Sequence, residues 1–353
     1  MAGRNAVLGP AREACENRAM ERPIARRDFL SSAGLLAATA SARAVEVPPV
    51  PAVPSAAASF ALDGHRVRFF SPRIEQAFQM LMIADTHLFR DDARGDAFRQ
   101  FSGRMAAAYH ETKHFQTGAP TDPEQGFVEA LRVAKDSKAE LVALVGDIVS
   151  FPSEAAVEWT LARLREAGLP WFFTAGNHDW HYEGMPGSLD SLRDTWIARR
   201  LAPLYQGGPP LASMRELHGV RFLAIDNSTY EILPAQLEFF REQVASGVPL
   251  VLFVHIPLHA PGRPLDFGCG HPRWGAASDV SYELERRAKW REGGHTRVTL
   301  DFHREVFAAP NLLGVFAGHV HRASLDVVNG IPQFVAAANA TGAYLQVELV
   351  PQT

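Results

Sequence analysis

Five short apolar runs in this 353-residue chain end in the same way, and that recurrence limits the folds open to it more than any other feature. Residues 79–84 are followed by Asp85-Thr86-His87, and residues 141–145 by Gly146-Asp147. Residues 171–174 lead into Ala175-Gly176-Asn177-His178-Asp179 and residues 250–254 into His255. Residues 312–316 lead into Ala317-Gly318-His319-Val320-His321. Short apolar runs bounded by polar or glycine residues read as buried strands. Helical spacing lies between them: Phe127, Ala130, Leu131 and Ala134 within 123–138, a second pattern over 153–167 with Ser153 as N-cap, and a third over 234–244. Strands alternating with helices predict an α/β layered architecture. In open α/β sheets, ligands bind beyond the carboxyl ends of the strands. The pattern therefore delivers Asp85, His87, Asp147, Asn177, His178, His255, His319 and His321 to one edge. A further strand is expected at 220–225. Three more, at 324–328, 333–336 and 344–349, lack intervening helices and are expected to pair antiparallel.

Residues 1–44 read as an address. Arg26-Arg27-Asp28-Phe29-Leu30 sets paired arginines before a mild Ala/Ser-rich stretch over 29–42, too short to span a bilayer. Ala42-Arg43-Ala44 has the small-residue character of a cleavage site. The segment resembles a bacterial twin-arginine (Tat) export signal, which implies the Tat machinery as a partner and a periplasmic or otherwise exported location. Cleavage there removes Cys15 and leaves Cys269 as the only thiol, so no intramolecular disulfide is expected. Residues 45–59 are Pro/Ala-rich and read as a linker; 60–353 reads as one domain. The leader holds seven of the 35 basic and four of the 39 acidic residues, so the remainder nets −7. That charge gives no footprint for bulk nucleic acid. No apolar run approaches the ~20 residues of a membrane span, so stable membrane insertion after cleavage is not expected.

The ordered set D-x-H, G-D, G-N-H-D, H and G-H-x-H resembles the calcineurin-like metallophosphoesterase superfamily over residues 85–321. The resemblance implies a four-layer α/β/β/α sandwich with two facing mixed sheets and a two-metal centre at one end. It assigns one metal to Asp85, His87 and His321 and the other to Asn177, His255 and His319, with Asp147 bridging. It places His178 outside the metals as general acid or transition-state hydrogen-bond donor, with Asp179 holding the His178 ring; an additional ligand or a mere filler is the alternative for His178. Gly176 and Gly318 are expected to permit tight turns. Imidazole and carboxylate ligands suit Fe, Mn or Zn better than Ca or Mg. Two cations about 3.5–4 Å apart hold a bridging hydroxide for in-line attack on a phosphoryl group. Two carboxylates leave such a centre net positive, which favours a phosphate anion.

Departures within the motifs narrow the branch. Leu88 stands where Ser/Thr protein phosphatases carry glycine, and Ile148-Val149-Ser150 lacks their Asp-Arg-Gly extension. Ser150 occupies the place of the metal-binding tyrosine of purple acid phosphatases, so no coloured iron–tyrosinate centre is expected. The motifs look more like bacterial phosphodiesterases. The expectation is hydrolysis of a small phosphate mono- or diester; the rivals are a catalytically silent metal-binding scaffold on the same fold and a nuclease. Two inserts are expected to rim the pocket. One, 89–121, carries Arg90, Arg94, Arg99, Arg104, Tyr109, His110 and His114; the other, 257–294, carries His259, Arg263, Cys269, His271, Arg273 and Trp274. A charged run at 283–291 is expected to form a solvated helix face.

Overall fold

A strand buried on both faces needs an apolar side chain at every position, whereas a half-exposed one alternates. The computed structural model describes residues 58–109, 112–274 and 294–352, and it uses both kinds. The chain opens with β1 (Ser59–Asp63), β2 (Arg66–Ser71) and β3 (Phe78–Ile83). It continues through α1 (Arg99–Ala107), a small hairpin of β4 (Thr112–Lys113) and β5 (Pro120–Thr121), and α2 (Pro123–Asp136). Then come β6 (Leu141–Val145), α3 (Glu154–Ala167), β7 (Trp171–Thr174) and α4 (Leu189–Trp196). The next group is β8 (Ala212–Leu217), β9 (Val220–Ile225), α5 (Pro234–Ala245), β10 (Leu250–Phe253), α6 (Arg297–Val306) and β11 (Leu312–Ala317). The chain ends in β12 (Ser324–Val328), β13 (Ile331–Val335) and β14 (Leu345–Pro351).

Two six-stranded mixed sheets result, with orders β1-β2-β14-β3-β6-β7 and β12-β13-β11-β10-β9-β8. The side-chain period of two sorts each inner strand between layers. Met80, Met82, Ala143, Val145, Phe172, Phe222, Phe253 and Phe316 form the layer between the sheets. Leu81, Ile83, Val142, Leu144 and Phe173 face α2 and α3; Leu223, Ile225 and Leu252 face α5 and α6. The architecture is the expected α/β/β/α sandwich of two facing mixed sheets. Strands β3, β6 and β7 run parallel in one sheet, and β9, β10 and β11 in the other, so each group carries its loops at one edge.

Ser153 caps α3 by accepting from Ala156 N, and the helix stops at left-handed Gly168. The terminal strands differ from expectation. β12 and β13 are antiparallel, but β13 pairs parallel with β11, and the last strand leaves for the other sheet. There β14 lies between β2 and β3, parallel to the first and antiparallel to the second. An apolar face between two sheets can be filled from either, and the pattern of one strand does not say which. Ser59, the last residue of the expected linker, opens β1. The leader at 1–44 and the charged run at 283–291 lie outside the described residues. Among the described residues no helix is long and apolar enough to cross a membrane.

Asn339 ties α2 to the loop after β3. Its amide donates to Gly126 O (3.2 Å) and Ala343 O (2.9 Å), its Oδ1 accepts from Thr86 Oγ1 (2.9 Å), and its N–H donates to Ala84 O (2.9 Å). A Cβ at Gly126 would fall on the Asn339 carbonyl oxygen. Helix propensity alone favours Gly126→Ala by ~1 kcal/mol, yet overpacking costs about 1–3 kcal/mol. The variant is expected to be less stable in urea denaturation; a stabilised variant would contradict this packing.

Candidate metal centre

The loops after the inner strands adopt an unusual backbone. Asp85, His87, Asp147, His319 and His321 all have positive φ, between 51° and 70°. Left-handed conformations cost a non-glycine residue about 1–3 kcal/mol and persist only where the surroundings over-determine them. Part of that determination is main-chain. Asp85 N–H donates to Gly146 O (3.0 Å) and His87 N–H to Asp147 O (2.9 Å), extending the β3–β6 ladder into the loops.

The rest comes from side chains that cross between the sheets. Both oxygens of Asp85 accept from His319 N–H at 2.9 Å. His255 Nδ1 lies 3.0 Å from Val145 O. That bond places a proton on Nδ1 and turns Nε2 toward Asp147. Asp147 Oδ1 accepts from His178 N–H (2.7 Å). Beneath them Asp179 spends both oxygens on backbone: Oδ2 accepts from Asp147 N–H (2.8 Å) and Gly176 N–H (2.7 Å), Oδ1 from Val149 N–H (2.9 Å). A Cβ at Gly176 would strike Asp147, and one at Gly318 would strike Asp85. Neither glycine has a positive φ. The expected tight-turn role is corrected: both are glycine because a carboxylate passes too close for a side chain.

The described acidic and imidazole groups gather into two overlapping sets. Asp85, His87, Asp147 and His321 bring their ligand atoms within 4.8 Å of one another, as do Asp147, His255 and His319. His87 Nε2 and His321 Nε2 stand 2.9 Å apart, and His321 Nε2 is 3.5 Å from Asp85 Oδ1. His255 Nε2 is 3.1 Å from Asp147 Oδ2 without the alignment of a hydrogen bond. Neither amide atom of buried Asn177 has a hydrogen-bond partner. Buried polar atoms are paired in the great majority of cases. Two overlapping donor clusters, with an unpartnered buried amide on the same loops, suit a cation in each set, and the mixed N/O donors suit Fe, Mn or Zn.

Without a cation, charge is balanced within the cluster itself. Burial would raise the Asp147 carboxyl, but His255 and His178 hold it well below its usual value. Burial would lower His255, and Asp147 instead lifts it to about 10. Burial, with His178 and His321 beside it, keeps the His87 ring neutral as a ligand must be. Asp179 is pushed up to about 7 by burial and by the charge of Asp147.

Asp85, His87, Asp147, His255, His319 and His321 are thus brought together. Asn177 follows Gly176 on the same loop, and the His178 ring meets the His87 ring edge-on with centroids 4.8 Å apart. Asp179 does not hold the His178 ring; the nearby acceptor is Ser150 O, 3.3 Å from His178 Nδ1. Of the first insert, Tyr109 reaches the centre, stacked on His87 at 4.1 Å with its hydroxyl 3.5 Å from His321 Nδ1. Arg90, Arg94 and Arg99 are paired with Glu124, Glu158 and Asp96. His110 and the Arg104 side chain lie outside the described set. Of the second insert, Trp274 stacks on Tyr230 and Arg263 pairs with Asp326. Tyr230 itself was not anticipated: its hydroxyl is 2.5 Å from His319 Nε2. The signal was present, since Asp226-Asn227-Ser228 follow strand β9 as the other polar clusters follow theirs.

The calcineurin-like phosphoesterase family model matches residues 78–323, more than half of the chain. No curated protein sequence matches. Among solved structures, a dimetal phosphatase from Danio rerio is similar over 76% of this chain and 91% of its own, at 12% identity and a TM-score of 0.47. A purple acid phosphatase from yellow lupin is similar over 78% of this chain and 47% of its own, at 14% identity and 0.44. TT1561 of Thermus thermophilus is similar over 75% and 91%, at 11% identity and 0.41.

Asp179→Ala strands three buried N–H groups, each costing about 1–3 kcal/mol. Urea denaturation of the metal-free variant is expected to show a loss of at least ~3 kcal/mol, with Asp179→Asn between it and the parent. An Asp179→Ala protein as stable as the parent would rule out the clamp.

Proposed function

The chain belongs to the calcineurin-like phosphoesterase family, and from that premise we propose that it hydrolyses a small phosphate mono- or diester at a dinuclear metal centre. The observation that carries the reading is Asp147, a buried carboxylate shared by both ligand sets. In this reading Asp85, His87 and His321 hold one cation, Asn177, His255 and His319 the other, and Asp147 joins them. When bound, a pair of Mn, Fe or Zn ions makes hydroxide available at neutral pH and neutralises charge on the phosphoryl oxygens.

The remaining work falls to the chain. The left-handed backbones and the cross-sheet bonds of Asp85 and His255 fix the donors before substrate arrives. Such fixed geometry is what in-line displacement requires. His178 is tied by its N–H to Asp147 and has Nδ1 against Ser150 O. In this reading the His178 ring delivers a proton to the leaving oxygen. The proposal extends to location: the paired arginines at 26 and 27 and the stretch after them direct export through the Tat machinery to the periplasm.

The test compares p-nitrophenyl phosphate with bis-p-nitrophenyl phosphate, using purified protein supplied with Mn or Zn. Chelation is expected to abolish turnover, and His178→Ala to lower kcat by ~10²–10⁴-fold. Asp147→Asn is expected to lose both turnover and bound metal. Faster hydrolysis of the diester assigns a phosphodiesterase, and of the monoester a phosphatase. Full turnover in either variant would remove this site from the chemistry.

A further inference from the structure

The segment after β9 makes no contribution to the ligand set, yet it is built around the half of the centre that holds His255 and His319. Asn227 uses its amide as a backbone mimic: Nδ2 donates to Ile256 O (2.6 Å) and Oδ1 accepts from Ile256 N–H (3.0 Å), next to His255. Three residues on, Tyr230 is fully buried in a left-handed conformation, φ 62°, with its N–H bonded to Asn227 O at 2.7 Å. A bulky residue at positive φ is a marked outlier, the kind of local strain that collects at functional sites.

Tyr230 is held on its ring as well as its backbone. It stacks on Trp274 with centroids 5.3 Å apart and planes at 21°. Trp274 stacks in turn on His295 at 4.3 Å and 12°. His295 Nδ1 is 3.1 Å from Glu231, the residue after Tyr230, and its Nε2 accepts from Gly270 N–H (3.0 Å). Glu231 also accepts from Thr296 N–H (3.0 Å) and Thr296 Oγ1 (2.8 Å) at the start of α6. With its ring and backbone held in this way, the tyrosine hydroxyl lies 2.5 Å from His319 Nε2.

We propose that Tyr230 is a positioning residue for the metal centre, fixing the ring and tautomer of His319 so that Nδ1 faces the cation. This rests on the dinuclear reading above. A histidine that binds a cation through one nitrogen carries its proton on the other and donates it to a neighbour. On this proposal the 2.5 Å contact is Nε2–H donating to Tyr230 Oη. The hydroxyl acts on one metal of the pair. Tyr109, whose hydroxyl is 3.5 Å from His321 Nδ1, stands beside the other.

The test is zinc titration by calorimetry of the metal-free full chain and of Tyr230→Phe, Tyr109→Phe, Asn177→Ala and Asp85→Asn, with melting of each metal-free protein. Tyr230→Phe keeps the ring and its stack. The parent is expected to bind two zinc ions per chain. Tyr230→Phe is expected to weaken one step by ~10–100-fold, the usual cost of removing such a partner, with metal-free melting unchanged. That step is expected to be the one weakened by Asn177→Ala, not the one weakened by Asp85→Asn or Tyr109→Phe. Two unchanged steps in Tyr230→Phe, equal weakening of both, or weakening of the Asp85 step would overturn the assignment while leaving the dinuclear centre standing. A lower metal-free melting temperature with both affinities intact would make Tyr230 structural only. No zinc binding by the parent would overturn the dinuclear reading and this inference with it.

Discussion

A carboxylate that is 1% exposed cannot remain ionised inside a protein unless positive charge or strong donors balance it, and Asp147 is such a group. It lies where the loops of two sheets meet. One oxygen accepts from His178 N–H, and the other faces His255 from the opposite sheet. Without a cation, that balance comes from a proton on His255; with one, the metal takes the proton's place. Everything around Asp147 serves to keep it there: the Asp179 clamp below, the absent side chain at Gly176, and the ladder bonds to the loop after β3.

The same constraint explains why the two sheets behave as one scaffold at this edge. Apolar contact between the sheets fixes their separation but is non-directional. Registry at the edge is set by polar groups that reach across: His319 N–H on Asp85, His255 on Val145 O, Trp180 Nε1 on Ser228 Oγ at 2.8 Å. Several of these residues belong to the two Asp/His clusters themselves. The site is therefore part of what aligns the sheets. Substitutions there are expected to act on stability and metal affinity together, a coupling usual where a preformed site is built into the fold.

Much of this was legible in the sequence because strand ends and chemistry coincide. Leu141–Val145 reads as a strand buried on both sides, and the Gly-Asp after it then falls at the sheet's edge. What the sequence hid depends on distance in the chain. The destination of β14 was not readable, since its alternation suits either sheet. Asp179 looks like a partner for the adjacent His178, but its carboxylate turns back to residues 147–149, which folding alone brings beneath it. Gly176 and Gly318 looked like turn residues, and the close approach of Asp147 and Asp85 that requires them is a tertiary fact. Tyr230 was missed for a different reason: the polar cluster after β9 contains no histidine, and outer partners of a ligand carry no spacing rule of their own.

Crystals grown with manganese or zinc, with diffraction recorded at the metal's absorption edge, are expected to show two anomalous peaks about 3.5–4 Å apart. One is expected beside Asp85, His87 and His321, the other beside Asn177, His255 and His319, with Asp147 between them. A single peak, no peak, or peaks remote from Asp147 would contradict the dinuclear centre.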